Sequence, residues 1–248
     1  MKNYTKFLLA SLALSLLAWA LLHSASNVLA APPGVQIAGT VSLEGTPPNP
    51  QTIDMSSEPD CVKAHANHPV TSESVVTGPN GGLKNVVIYI SEGLSTSDAN
   101  HVPSQPAILD QKGCQYVPHV VAVDVGQQIT ILNSDAATHN IHVMPKHGGG
   151  NPEWNKSQFS GASPIQTSFP KEEVIPVKCN VHPWMRGYIV VVRGPYTVSD
   201  ETGSFVLATL PPGTYTLTAW HETYGTQTQK ITVTAGQRTA VKFVFKAK

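Results

Sequence analysis

CNVHPWMRGYIVVV, residues 179–192, places a cysteine, a histidine and a methionine in one short turn and then continues directly into an apolar strand. The three residues are Cys179, His182 and Met185, in the spacing Cys-x2-His-x2-Met. EVIPVK, residues 173–178, comes just before them and has the β-branched composition of a second strand. Since strands on both sides fix the ends of so short a loop, its three donors can converge on one ion. The stretch therefore predicts a metal-binding loop in a β-sheet protein.

The N-terminus has the pattern of an export signal. Lys2 and Lys6 give it a positive start, residues 7–22 are apolar, and residues 28–30 form a small-residue cleavage site. The apolar run is shorter than the about 18–20 residues that a spanning helix needs. This length favours a cleaved signal peptide, residues 1–30, over an uncleaved anchor. We expect a periplasmic or extracellular protein.

The charge balance excludes some classes of partner. The chain has 16 Lys and Arg against 16 Asp and Glu, and no basic run. A nucleic-acid-binding protein would carry a basic patch to neutralise phosphates. We therefore expect no nucleic-acid partner and no membrane contact beyond the export signal.

The cysteine count is odd, which needs an explanation in an oxidising compartment. If Cys61 and Cys114 form a disulfide, Cys179 is the thiol left over, and it is the one in the metal-binding loop. The alternatives for Cys61 are a free thiol or a metal site with His65 and His68, in the stretch CVKAHANH. The disulfide is favoured because thiols of exported proteins tend to pair.

Runs rich in Val, Ile, Thr and Tyr, broken by Gly, Pro, Asn and Asp, predict an all-β protein of packed sheets. The predicted strands are 35–45, 83–91, 119–134 (with a turn at 125–127), 173–179, 187–194, 203–210, 213–220, 228–234 and 238–246. Residues 46–82 and 145–168 are rich in Gly, Pro and Ser and are predicted to be long irregular loops.

The C-terminal part resembles the second half of the transthyretin-like, carboxypeptidase regulatory-like β-sandwich family. The matching features are the D-E-x-G-x-F hairpin at 200–205, the L-P-P-G-T-Y-T-L stretch at 210–217 and the final alternating strand. The strand of the form I-x-G-x-V with which that family begins lies far upstream, at 37–41. The resemblance implies a split sandwich with another domain inserted between Ile90 and Val198. Two consecutive domains are the alternative.

The donors in the 179–185 loop are those of a type 1 copper centre, which uses one thiolate, two imidazoles and a weak axial thioether. The missing imidazole is predicted in GQQITILNSDAATHNIHV, residues 126–143. There a glycine turn and an alternating strand are followed by Asn133, Asp135 and a His-Asn step.

Together, GxxITxxNxD…HN and CxxHPxM resemble the cupredoxins, the small blue copper proteins, and the short loop resembles the amicyanin type. The resemblance covers about residues 105–193 and implies a Greek-key β-sandwich that holds one copper ion. The implied copper ligands are His139, Cys179, His182 and Met185. It also implies that Asn140 links the two ligand loops through hydrogen bonds. A sandwich that has lost its metal, or that binds zinc, is the alternative, although a thioether argues against zinc.

The combined interpretation divides the chain into residues 1–30 (signal peptide), 31–95 (first strands of the transthyretin-like sandwich and a long loop), 105–193 (copper domain) and 194–248 (the rest of the sandwich).

Two residues of the loop have implied roles besides ligation. Pro183 has no backbone N–H, so it cannot donate a hydrogen bond to the Cys179 thiolate. Trp184 lies between the second histidine and the methionine, where it either shields the site from water or contacts a partner protein.

The remaining histidines are predicted not to bind this ion. His142 follows His139 by three residues, which in an extended strand places the two on opposite faces. A packed or hydrogen-bonded role is expected for His119, and an exposed position for His147. The histidines with no neighbouring donor in the sequence are His101 and His221.

The predicted function is one-electron transfer by a type 1 copper protein with a redox partner protein that the sequence does not identify. An enzyme is not expected, because the pattern contains no nucleophile–base arrangement and the four protein ligands leave no open position for a substrate. The alternatives are an extracytoplasmic module that binds carbohydrate or protein, with a structural, vestigial or absent copper site, and a copper storage or delivery protein. A buried, preformed site argues against storage or delivery, which needs easy metal exchange.

The cysteine assignment leads to the first prediction. Peptide mapping of the protein without reduction should find Cys61 linked to Cys114 and Cys179 unpaired. Mapping after reduction and alkylation is the control, because all three cysteines should then carry the label. A linkage that includes Cys179 would refute both the pairing and the copper interpretation.

Overall fold

The computed structural model describes residues 35–66, 68–99 and 102–247, which are mostly β-strand. The predicted signal peptide and His101 lie outside these ranges. No helix among the described residues is long and apolar enough to cross a membrane. The described residues all belong to one compact unit. The predicted all-β fold is confirmed.

The strands of the described ranges are, in chain order, β1 Val35–Glu44, β2 Val87–Glu92, β3 Ala107–Gln111, β4 Tyr116–Val117, β5 Val120–Asp124, β6 Ile129–Asn133, β7 His139–Val143, β8 Trp154–Gln158, β9 Ile165–Thr167, β10 Glu173–Lys178, β11 Arg186–Val192, β12 Tyr196–Val198, β13 Ser204–Leu210, β14 Gly213–His221, β15 Gly225–Val233 and β16 Thr239–Lys246. Short helices, α1 (Pro59–Ala64) and α2 (Thr96–Ala99), and a 3₁₀ turn at Pro79–Gly81 lie in the connections.

One sandwich is built from both ends of this described chain. Its sheets have the strand orders β13-β1-β16 and β12-β2-β14-β15. β1 pairs antiparallel with β13 and parallel with β16, and β2 pairs antiparallel with β14. Alternate residues of these strands point inward, as expected for a half-buried sheet. They enclose a core that includes Ile37, Val41, Ile88, Phe205, Leu217, Val241 and Phe243.

The other sandwich contains only strands from the middle of the chain. Its sheets have the strand orders β5-β11-β10-β7-β8 and β4-β3-β6-β9. Its buried core includes Leu109, Tyr116, Val123, Ile131, Ile141, Phe169, Ile175 and Ile189. β1 and β2 thus come before this sandwich, and β12 to β16 come after it. The chain therefore has one β-sandwich inserted into another. The residue boundaries given above stay a prediction.

A third apolar cluster joins the two sandwiches. Its buried residues are Val87, Val120, Ala122, Val190 and Val192. Tyr188 of β11 and Trp220 of β14 add an edge-to-face contact, with ring centroids 5.2 Å apart. β5 and β11 are apolar on both faces because one face packs in the inner core and the other against the second sandwich.

The predictions for the two long loops are partly wrong. Residues 145–168 contain strands β8 and β9, and residues 46–82 contain helix α1. β8, WNKSQ, is polar because it is the edge strand of its sheet and most of its side chains face solvent. Such an edge strand lacks the apolar alternation by which strands are recognised.

The predicted strand at 119–134 is two strands, β5 and β6, separated at the predicted turn.

The predicted disulfide is present: Cys61 and Cys114 are bonded, and Cys179 is a buried free cysteine. The bond closes a loop with a sequence separation of 53. Loop-closure entropy predicts a stabilisation of about 4 kcal/mol for a loop of this size. The alternative metal site of Cys61 with His65 and His68 is therefore wrong, because the thiol is consumed.

Gly39 provides a test of the outer sandwich. β1 is the central strand of its sheet, and a Cβ at Gly39 would lie 2.0 Å from Val241 O and 2.6 Å from the Phe205 ring. We expect Gly39→Ala to lower the free energy of unfolding by about 3 kcal/mol, the cost of an overpacked core. Urea denaturation measures it, with Thr40→Ala at the neighbouring exposed position as a control expected to change stability by less than about 1 kcal/mol. Equal effects in the two variants would contradict the packing account.

Candidate metal centre

Three nitrogen and sulfur donors converge in the inner sandwich. Nδ1 of His139 lies 2.9 Å from Nδ1 of His182, and Sγ of Cys179 lies 3.6 Å from the same His182 nitrogen. These three side chains form a group able to hold a metal ion, with one donor atom from each within 4.8 Å of the others. Their exposed fractions are 0%, 2% and 1% for His139, Cys179 and His182. The structure therefore brings three of the four predicted ligands together in a water-excluded site.

Strand pairing explains why residues forty positions apart meet. β7 pairs antiparallel with β10, with Val143 opposite Val177 and His142 opposite Lys178. His139, at the start of β7, consequently lies at the sheet end where β10 stops and the 179–185 loop begins.

The loop itself is closed by its own backbone. The Cys179 N–H donates to the Met185 carbonyl at 3.0 Å, and the Met185 N–H donates to the His182 carbonyl at 2.9 Å. These two bonds bend the chain into a turn between β10 and β11. Met185 is 1% exposed and belongs to the same apolar cluster as Cys179. Its side chain is thus buried in the core of the inner sandwich.

Asn140 connects the two ligand segments. Its Oδ1 accepts the Asn180 N–H at 2.7 Å and lies 3.2 Å from the Cys179 sulfur. Its Nδ2 donates to Asn155 Oδ1 at 2.6 Å, and its carbonyl accepts the Tyr116 hydroxyl at 2.7 Å. The side chain that follows the first histidine therefore ties β7 to the loop after β10.

The surroundings of Cys179 favour a thiolate. Burial alone raises the pKa of this thiol, but hydrogen bonds from His139 and from the neighbouring backbone outweigh burial and lower it. One of the backbone donors is the His182 N–H, 3.3 Å from the sulfur. Pro183 contributes no such bond because it has no N–H. A thiolate is the form that binds metal ions.

A carboxylate lies near the outer nitrogen of each histidine. Nε2 of His139 lies 2.8 Å from Asp135 Oδ2, and Nε2 of His182 lies 3.8 Å from Glu58 Oε2. A carboxylate only accepts hydrogen bonds, so it favours a proton on Nε2 and leaves Nδ1 facing the site. Burial lowers the pKa of His139, but the bonds to Asp135 and Cys179 outweigh this and raise it to about 9. Burial, followed by repulsion from His139, lowers the pKa of His182.

The donor set fits a copper ion. Two imidazole nitrogens and a thiolate face one another, and a thioether lies in the same turn, which is the type 1 set. The outer nitrogen of His139 is already hydrogen-bonded to a carboxylate, as is usual for metal-ligating histidines, and that of His182 has a carboxylate 3.8 Å away. Asp135 belongs to the GxxITxxNxD motif, but the sequence did not assign it a role, and Glu58 was not singled out. Asp135 could have been recognised from its position four residues before His139, whereas Glu58 carries no signal because it lies in a remote loop.

Trp184 covers the outer side of His182. The two rings are tilted, with centroids 5.3 Å apart, and the indole N–H donates to the Cys114 carbonyl at 3.1 Å. Trp184 is half-buried, while its neighbour Pro183 and Val181 are exposed. The indole thus shields the histidine, and its contact with a partner protein stays a prediction.

The other histidines have partners outside the donor group. His142 bonds to Glu153, 2.8 Å away, and His119 bonds to Glu222 of the outer sandwich. His65 donates to the Gly113 carbonyl at 2.6 Å. His68 and His147 are exposed. His221 is buried, which lowers its pKa to about 4, and it stacks on Tyr224.

Comparison with known proteins gives the same two resemblances. The carboxypeptidase regulatory-like domain matches residues 187–246. Among solved structures, a purple cupredoxin from Nitrosopumilus maritimus is 23% identical over 34% of this chain and 98% of its own, with a TM-score of 0.29. A reduced Cu(I) form of an amicyanin variant is 24% identical over 42% of this chain and 97% of its own, with a TM-score of 0.32.

A copper-containing nitrite reductase from Thermus scotoductus SA-01 is 19% identical over 41% of this chain but only 25% of its own, with a TM-score of 0.32. No curated protein sequence matches the chain significantly.

Cys179→Ser tests the donor set. Serine keeps the size of the side chain but removes the thiolate, so the copper-loaded variant should lose any strong charge-transfer absorption toward the red end of the visible spectrum. Absorption spectra of both proteins measure this. Val181→Ser, at an exposed position of the same loop that offers no donor, should leave the spectrum unchanged. Colour that survives in Cys179→Ser would show that the site is misassigned.

Proposed function

We propose that this protein binds one copper ion through His139, Cys179, His182 and Met185 and transfers single electrons outside the cytoplasm. The observation that carries the proposal is the buried convergence of two Nδ1 atoms and a thiol, with separations of 2.9 Å and 3.6 Å. Copper supplies reversible one-electron chemistry when it is bound. The chain would bind it, exclude water from it and hold its ligands in place.

The rigidity of the ligand segments favours electron transfer over storage or delivery. His139 belongs to a strand, the 179–185 loop is closed by two backbone bonds, and Asn140 joins the two. Ligands that cannot move keep one geometry in both oxidation states, which lowers the reorganisation that accompanies each electron. The same rigidity and burial oppose the metal exchange that a delivery protein needs.

The compartment proposal rests on the thiol chemistry. A structural disulfide between Cys61 and Cys114 is stable in an oxidising environment. The N-terminal export pattern agrees with it. We propose a periplasmic or extracellular location, a redox partner protein, and no catalytic activity of the chain itself.

A carbohydrate- or protein-binding module is the competing proposal, and it predicts no intense colour that disappears on reduction.

Met185 tests the electron-transfer proposal. A weak axial sulfur favours Cu(I), so replacing it with a harder oxygen donor should favour Cu(II). Met185→Gln should therefore keep copper and a folded protein but lower the reduction potential, as measured by voltammetry. His139→Ala should instead lose or badly distort the site, because it removes an imidazole ligand.

Met144 provides the matched control. It lies just after β7, is half-buried and belongs to the stretch HNIHVMP. Met144→Gln should leave the reduction potential unchanged. A potential that changes with Met144→Gln and not with Met185→Gln would mean that Met144 is the axial ligand and that the amicyanin-like assignment of the loop fails.

A further inference from the structure

A two-residue turn beside the metal centre has all of its backbone polar groups bonded to side chains. Gly113 and Cys114 both have positive φ, at 65° and 54°. Their N–H groups donate to the two carboxylate oxygens of Asp135, each at 2.7 Å. The Gly113 carbonyl accepts from His65, and the Cys114 carbonyl accepts from Trp184. The turn therefore fixes the orientation of three side chains.

Two of these side chains contact the proposed copper histidines. Asp135 Oδ2 lies 2.8 Å from Nε2 of His139. The Trp184 ring lies against the His182 ring, with centroids 5.3 Å apart. The same turn thus supports a group on each of the two imidazoles, although its own atoms belong to neither ligand segment.

The disulfide joins this turn to a third supporting group. Cys114 is bonded to Cys61 of helix α1, and both cysteines are almost completely buried. Glu58, immediately before α1, places its carboxylate 3.8 Å from Nε2 of His182. Helix α1 has only 6 residues, too few to be stable in isolation. The disulfide and the bond from His65 to the Gly113 carbonyl connect α1 and the residue after it to the turn.

We propose that the Cys61–Cys114 disulfide is a positioning element of the copper centre, acting mainly through Asp135. The proposal rests on the copper-binding function above. Asp135 accepts the Nε2–H of His139, which fixes the tautomer and makes Nδ1 a stronger donor. Its own orientation is set by the two amides of the turn that the disulfide anchors. The bond thus contributes to metal affinity and reduction potential without contacting the ion.

A purely structural disulfide would behave differently. It would raise the stability of the whole fold by restricting the unfolded chain, and its removal would leave the folded copper centre unaltered. The two accounts separate when the properties of the folded, copper-loaded protein are measured instead of its unfolding. Variants are required, because a reductant added to break the disulfide would also reduce the copper.

The experiment is a double-mutant cycle on the full chain. Its four members are the parent protein, the Cys61→Ser/Cys114→Ser variant, Asp135→Asn, and the combination. Copper affinity is measured by competition with a chelator, together with the reduction potential and the copper hyperfine splitting. Val41→Ala, a buried position in the outer sandwich, is the control for lost stability and should change none of the three.

We expect Asp135→Asn in the parent to weaken copper binding by about 10–100-fold, as loss of such a hydrogen-bond partner typically does. It should also raise the reduction potential, because a less basic imidazole stabilises Cu(II) less. The Cys61→Ser/Cys114→Ser variant should also weaken copper binding and raise the reduction potential. Its copper hyperfine splitting should differ from that of the parent protein. In the serine variant, Asp135→Asn should then weaken copper binding by less than about a further 3-fold, because the effects of substitutions within one hydrogen-bond network are not additive.

The outcomes distinguish the two proposals. The positioning role would be overturned if the serine variant kept the copper affinity, reduction potential and hyperfine splitting of the parent. Additive effects across the cycle would overturn it too. In both cases the parent protein would still be coloured and bind copper, so the proposed function would stand. A parent that binds no copper would refute the proposed function and this inference with it. If the serine variant does not fold, the Cys61→Ala/Cys114→Ala variant takes its place in the cycle. It also removes the disulfide but buries no hydroxyl groups at these two buried positions, and additivity with Asp135→Asn would again overturn the proposal.

Discussion

The pairing of β10 with two neighbours is the constraint on which the metal centre depends. β10 pairs antiparallel with β7 on one side and with β11 on the other. The first pairing brings His139 to the end of the sheet where Cys179 follows β10. The second fixes the width of the turn that carries His182 and Met185. Without this three-strand arrangement, the donors would be separated by the length of a strand.

Burial converts this arrangement into a site with unusual electrostatics. Two histidines and a thiol are expensive to bury as charged groups unless they are paired. Here each outer nitrogen faces a carboxylate, and the sulfur receives a backbone N–H. The buried groups thereby have partners for their charges, and the raised pKa of His139 reflects its bonds to Asp135 and Cys179.

The inserted sandwich is not independent of its host. β5 and β11 bury one face in the inner core and the other against β2, β12 and β14. β11 begins directly after the 179–185 loop, so the strand that follows the loop packs against both sandwiches. The hydrogen bond between His119 and Glu222 adds a polar contact across the same boundary. The two sandwiches therefore share both an apolar and a polar boundary.

Sequence by itself determined the features that are local or that follow from residue chemistry. The 179–185 loop lies between strands because its flanks are β-branched, and the odd cysteine pointed to the disulfide that leaves Cys179 free. Elements with weak local signals were not predicted. β8 is polar because it lies at a sheet edge, and helix α1 has only 6 residues and is joined to the inner sandwich by the disulfide. Only the tertiary structure brought Glu58 to His182 and the Gly113–Cys114 turn to Asp135. Contacts between segments so distant in the chain depend on how the sheets fold against each other, and no periodicity within either segment encodes them.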